Sequence, residues 1–113
     1  MKNAAILQQP IPRIPEPHLR VDVSAWLCDY YLSAPVRDDV LARRSIGIER
    51  YGCPLYGHNG RDPIIDAYQE ALDLFVYLGQ ADIEDGRKGP GMLTRQALEL
   101  IMAIRADMQR RQG

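Results

Sequence analysis

With 113 residues, 46% of them hydrophobic and 26% charged, the chain reads as one small globular domain broken by two Pro/Gly-rich stretches. A net charge of −1 gives no general reason to expect nucleic acid or a membrane as partner, and no apolar run approaches the roughly 20 residues that span a bilayer. Two cysteines without metal-ligand spacing, and an N-terminus without a signal-peptide core, point to reduced thiols and a cytoplasmic protein.

Residues 1–20 form a first segment, an extended arm. Its run Gln9-Pro10-Ile11-Pro12-Arg13-Ile14-Pro15-Glu16-Pro17 forbids a helix and favours polyproline II, either draped on the surface or offered to a proline-reading groove. Residues 21–113 form the second segment, an all-α domain. Asp22 or Ser24 caps a first helix running to about Ser33, with Val23, Trp26, Leu27, Tyr30 and Tyr31 as packing residues, the aromatics also being suited to stack on a base. Ser33 opens a second helix from Pro35 to Tyr51, presenting Val36, Val40, Leu41, Ile46 and Ile48. Gly52 and Pro54 end it.

The loop Pro54 to Asp62 is rich in turn formers and leads into the N-terminus of the next helix, where backbone N–H groups meet anions. Asn59 and Arg61 are its candidates for a phosphate or sugar hydroxyl. Asp62 caps the third helix and Pro63 takes its first position. At about 100° per residue, Asp62, Asp66, Glu70, Asp73 and Tyr77 share a stripe roughly 80° wide, while Ile65, Leu72, Phe75, Val76 and Leu78 cover most of the rest. The stripe is either a solvated face or a site for a divalent cation, because carboxylates on successive turns repel unless something positive sits among them. The pattern weakens from Gly79 through Glu84. Asp85 to Gly91 is a polar, flexible crossover, and a final helix from Met92 to about Gln109 places Leu93, Ala97, Leu100, Ile101, Ile104 and Met108 on one stripe. Four helices on short loops make a four-helix bundle-like, all-α fold.

Several chemistries lack their parts. There is no Gly-x-x-x-x-Gly-Lys-Ser/Thr loop, no Gly-x-Gly-x-x-Gly, no Gly-x-Ser-x-Gly and no His-Glu-x-x-His. Helix-borne carboxylates, arginines and a loop at a helix N-terminus remain, and that set suits metal-assisted hydrolysis of a phosphate ester or anhydride.

Glu70-Ala71-Leu72-Asp73 and the apolar run Leu74 to Leu78 resemble the Glu-x-x-Asp motif of the MazG-like all-α nucleoside triphosphate pyrophosphohydrolases. Arg50-Tyr51-Gly52-Cys53-Pro54-Leu55, with Asn59-Gly60-Arg61-Asp62 through Tyr77, is similar to short phage-type members of that group, some of them dATP/dGTP diphosphohydrolases. The likeness runs over about residues 36 to 108 and is specific in its middle third.

The resemblance implies a MazG-type fold and Mg²⁺ or Mn²⁺ held by Glu70 and Asp73. It makes Glu49 and Asp66 further ligands or the group that orients the attacking water. Arg50, Asn59, Arg61, Asp62 and Tyr77 become the substrate-binding set. The reaction implied converts a (d)NTP to (d)NMP and pyrophosphate, for a phage protein in the host cytoplasm. Separately, so much apolar helix surface on a small bundle points to a second copy that buries it, in a homodimer or homotetramer. The group also carries an earlier Glu-x-x-Glu. Here Glu49 stands at a suitable separation from Glu70, but Ile46 occupies its partner's place, with Asp38, Asp39, Asp62 or Asp66 as replacements. That gap motivates the alternative of a protein that binds or sequesters a nucleotide or nucleotide-derived signal without hydrolysing it.

Overall fold

Residues 3–30 and 33–112 are described by a computed structural model. Among them lie four α-helices: α1, Val23–Cys28; α2, Ala34–Tyr51; α3, Pro63–Glu84; and α4, Met92–Gln112. A short 3-10 turn at Pro17–Leu19 precedes them, and the described residues form no strand. The helices pair two by two, α1 with α2 and α3 with α4. The chain accordingly divides into two units, Met1–Gln9 with Asp62–Gly113, and Pro10–Arg61.

In the first unit, α3 starts where local chemistry demands. Asp62 accepts the Ile64 N–H at 3.0 Å and Pro63 follows it, so an orphan donor of the first turn is satisfied and the backbone is pre-set for a helix. The helix runs past Leu78 to Glu84, although the apolar period fades there. Gln80 bonds Glu84 one turn on (3.1 Å), and Asp82 ties the helix end to the start of α4.

Asp82 accepts the Gly91 N–H at 2.8 Å and the Thr94 hydroxyl at 2.6 Å, and pairs with Arg87 at 3.3 Å. The Asp85–Gly91 crossover is therefore pinned to α3 at its far end, Gly91, while residues 85–90 are exposed, in line with their polar composition. Gly91 is needed for this. A Cβ there would stand 2.8 Å from the Asp82 carboxylate.

The core of this unit is Tyr68 and Ala71 of α3, Ile101 and Met108 of α4, and Ala4 from the chain's beginning, with Ile64, Ile65, Leu72, Phe75 and Ile104 packed around them. On α4 the buried stripe is Thr94, Ala97, Ile101 and Met108. Leu93 and Leu100, expected on it, are 64% and 49% exposed. One facing helix covers a narrower stripe than a bundle does, so only positions aimed at α3 are shielded.

In the second unit Asp22 caps α1 by accepting the Ala25 N–H at 3.2 Å, and Arg44 of α2 clasps its other oxygen from Nε (2.8 Å) and Nη2 (2.6 Å). That pairing holds the Asp22 carboxyl below its usual range. Next to the cap, the chain pairs with Leu55 to Gly57 through an isolated antiparallel bridge, Asp22 to Tyr56.

Helix α1 ends at Cys28 rather than near Ser33, because Asp29 and Tyr30 turn back to bond the last carbonyls and Arg37 donates to the Cys28 carbonyl at 3.3 Å. Cys28 is the buried residue of α1, while Trp26 and Tyr30, expected to pack inside, are 50% and 66% exposed with their rings 5.2 Å apart. Tyr31 lies outside the described residues. Helix α2 ends on Gly52 (φ 82°), whose N–H bonds the Ile48 carbonyl at 2.7 Å. The proline-rich run is draped on the loop before α3: Arg13 donates its N–H to the Asn59 carbonyl at 2.9 Å, and Pro15, buried, accepts from Arg20.

Candidate functional site

The acidic stripe of α3 is real, and its members have different fates. Asp62, Glu70, Asp73 and Tyr77 are exposed and Asp66 is half-buried. Glu70 and Asp73, one turn apart, make no hydrogen bond or ion pair with any described residue. Two carboxylates one turn apart, with no cation paired to them among the described residues, raise the energy of the helix by a few tenths of a kcal/mol through repulsion. Asp73 also borders a shallow groove of about 310 Å³, whose other walls are Gln69, Leu72 and residues 5–8.

Asp66 and the helix N-terminus are already engaged. The Gln9 side chain accepts the Asp62 N–H at 2.6 Å and donates to the Asp62 carbonyl at 2.9 Å and to Asp66 Oδ1 at 2.8 Å. A primary amide thus pairs with one backbone residue through both of its faces and caps a carboxylate as well. One turn on, Gln69 donates to the carbonyls of Ala4 (2.9 Å) and Leu7 (2.8 Å). Neither glutamine is among the candidates that the sequence marks. For Gln69 a signal existed, since it lies on the same stripe as Asp62, Asp66 and Asp73; for Gln9 none did.

The remaining candidates belong to the second unit. Glu49 and Arg50 are exposed on the last turn of α2, with the Arg50 guanidinium 5.9 Å from the Tyr51 ring centre. Asn59 closes a local turn, its Oδ1 accepting the Arg61 N–H at 3.1 Å, and Arg61 reaches the Pro10 carbonyl at 2.7 Å. His58 adopts the left-handed conformation (φ 59°), as does Gly60 (φ 88°), where a Cβ would press on Arg13 at 3.3 Å. Asn59 and Arg61, read as phosphate or sugar contacts, thus hold the proline-rich run to the loop. Arg44 of α2 is committed to Asp22, and Arg110 and Arg111 both bond Asp107.

Mg²⁺ takes near-octahedral oxygen ligands. The chemistry of Glu70 and Asp73 fits it. Their number does not complete it, because no three His, Cys, Asp or Glu among the described residues come together at ligand spacing. No helix among the described residues is long and apolar enough to cross a membrane. Compared with protein-family models, curated proteins and solved structures, the chain matches none.

Proposed function

We propose that the chain is a metal-dependent nucleoside triphosphate pyrophosphohydrolase of the MazG-like kind, acting as a homodimer or homotetramer on a (d)NTP, a purine dNTP being the first to try. The observation that carries this reading is the exposed couple Glu70 and Asp73, without a partner among the described residues and set one turn apart on a helix whose neighbouring surface is apolar. Hard carboxylate oxygens in that arrangement suit Mg²⁺ or Mn²⁺, with the rest of the coordination shell coming from water, substrate phosphate and a second copy. Once bound, such a cation supplies charge neutralisation at the phosphate chain and a more acidic water. The chain's own part is then to place the two carboxylates and to orient water with Asp66.

The test is incubation with a panel of NTPs and dNTPs plus Mg²⁺ or Mn²⁺, reading nucleoside monophosphate and pyrophosphate. Wild-type protein is expected to release both from at least one substrate, with Glu70→Ala and Asp73→Ala reduced by at least about a hundredfold. Absence of product from every nucleotide overturns the enzyme.

A second reading, sequestration of a nucleotide without turnover, draws on Ile46. It stands where the resemblance calls for a carboxylate, and its side chain is apolar and 45% exposed. Sequestration predicts a nucleotide that co-purifies or binds and is recovered intact after the protein is denatured.

A further inference from the structure

The second unit carries two exposed surfaces that the proposed function does not use. On α1 and the turn after it, Trp26 and Tyr30 set their rings 5.2 Å apart, 50% and 66% exposed. Asp29, three residues after Trp26 and next to Tyr30, is exposed on the same side, and its carboxylate makes no hydrogen bond or ion pair with any described residue. The other surface is the proline-rich run. Pro10, Pro12, Pro15 and Pro17 fix their own φ and hold the residues before them extended, which makes a pre-ordered polyproline II ridge. Hydrogen bonds seat one side of it: Pro10 and Pro15 accept from Arg61 (2.7 Å) and Arg20 (2.9 Å), and the Arg13 N–H reaches the Asn59 carbonyl (2.9 Å). On its other side Ile11 is 90% exposed, with Pro12 and Arg13 exposed beside it.

We infer that these surfaces are the two halves of one contact between copies of this chain, with Ile11, Pro12 and Arg13 of each copy lying on Trp26, Asp29 and Tyr30 of the other. Polyproline II ridges are read by aromatic faces, on which proline and aliphatic side chains pack with little ordering left to lose. Charge decides the occupant. Asp29 favours a basic ridge and rejects an acidic one, and residues 10–14 carry Arg13 as their one charge, so guanidinium and carboxylate meet as the apolar groups pack. Because each copy holds both halves, a two-fold arrangement makes every contact twice and closes on itself. A patch this small belongs to the weak, transient class of interface, below about 1,200 Å² in total, which sets a dissociation constant on the order of 100 µM. The contact is open at micromolar protein and closed at several times that constant. It uses none of the carboxylates of α3 and stands or falls independently of the proposed function.

Trp26 is the chain's one tryptophan, so its emission reports on this surface directly. Full-length protein is followed by tryptophan fluorescence and sedimentation velocity from about 1 µM to about 500 µM. Arg13→Glu, Asp29→Arg and the exchange of both charges are run alongside the wild type. Neither substitution removes a side-chain hydrogen bond among the described residues, and far-UV circular dichroism checks that the helices persist. In the wild type the emission moves to the blue as concentration rises, in step with a heavier sedimenting species. Each single variant raises the midpoint by at least about fivefold, since an opposite pair becomes a like-charged one in both symmetric contacts, and the double exchange restores it. Wild-type emission that is unchanged over the whole range overturns the contact. So does a blue shift that both single variants retain, or a double exchange no better than either alone. A shift lost in Val76→Glu but kept in Arg13→Glu puts the association on α3 and overturns it as well.

Discussion

Asp82 receives an N–H, a hydroxyl and a guanidinium at once, and the first two of these hold its carboxyl below the usual carboxylate range. Its contribution to stability is therefore complete above the unfolded value, about pH 3.9, and declines as pH falls from there through the lower folded value. Thermal unfolding of wild type and Asp82→Asn from pH 6 down to pH 2.5 should show a gap that narrows below about pH 4. Curves that stay parallel would mean that the charge of Asp82 is not what matters. The buried Thr94 hydroxyl, 3% exposed, gives the same contact from the other side. Thr94→Val keeps the shape, loses the donor, and should cost about 1 kcal/mol in chemical denaturation. None of this was legible beforehand. Asp82 sits where the apolar period fades, and its partners lie within and just beyond a loop whose composition suggests only solvent.

At the scale of elements, what could be read was what local chemistry decides. The Asp62 cap, Pro63, Ser33 at the start of α2, the Gly52 stop and the Met92 start all stand where turn and cap preferences put them, because each depends on neighbours within a few residues. The errors fall where distant contacts decide. The end of α1 is set by Arg37 reaching back to Cys28, and exposure of Trp26 and Tyr30 follows from that short helix having six residues and one partner helix. Asp22 is the residue on which this unit turns, since it caps α1, pairs with Arg44 and bridges to Tyr56. Asp22→Ala should cost about 1 kcal/mol through the cap alone, seen as a lower midpoint in urea. Arg44→Ala tests the other arm of the same carboxylate. With the clasp gone, the stability that Asp22 contributes should depend less on pH between 2 and 5, because the guanidinium is the first cause of its lowered pKa.

For the molecule as a whole, the decisive feature is how little apolar surface one chain covers. No large side chain among the described residues is fully buried, and Leu74, Val76, Ile83, Leu93, Leu98 and Met102 on α3 and α4 are each more than 40% exposed. Apolar positions on this much of a two-helix surface exceed the scattered exposure normal for a monomer, and burying them at about 25 cal/mol per Å² is the largest stabilisation still open to the chain. Under the proposed function, a second copy laid over the exposed Leu74 and Val76, which stand on either side of the acidic stripe of α3, would cover the apolar flanks of Glu70 and Asp73 and lower the dielectric around them. Sedimentation velocity at micromolar protein should then give a dimer or tetramer, and Val76→Glu with Leu93→Glu should shift it to monomer by placing unpaired charges in the contact. Hydrolysis should fall with the assembly, becoming steeply concentration-dependent in the single variants. A wild type that sediments as a monomer while turning over nucleotide would show that one chain completes the site unaided, and the exposed face would then need another occupant.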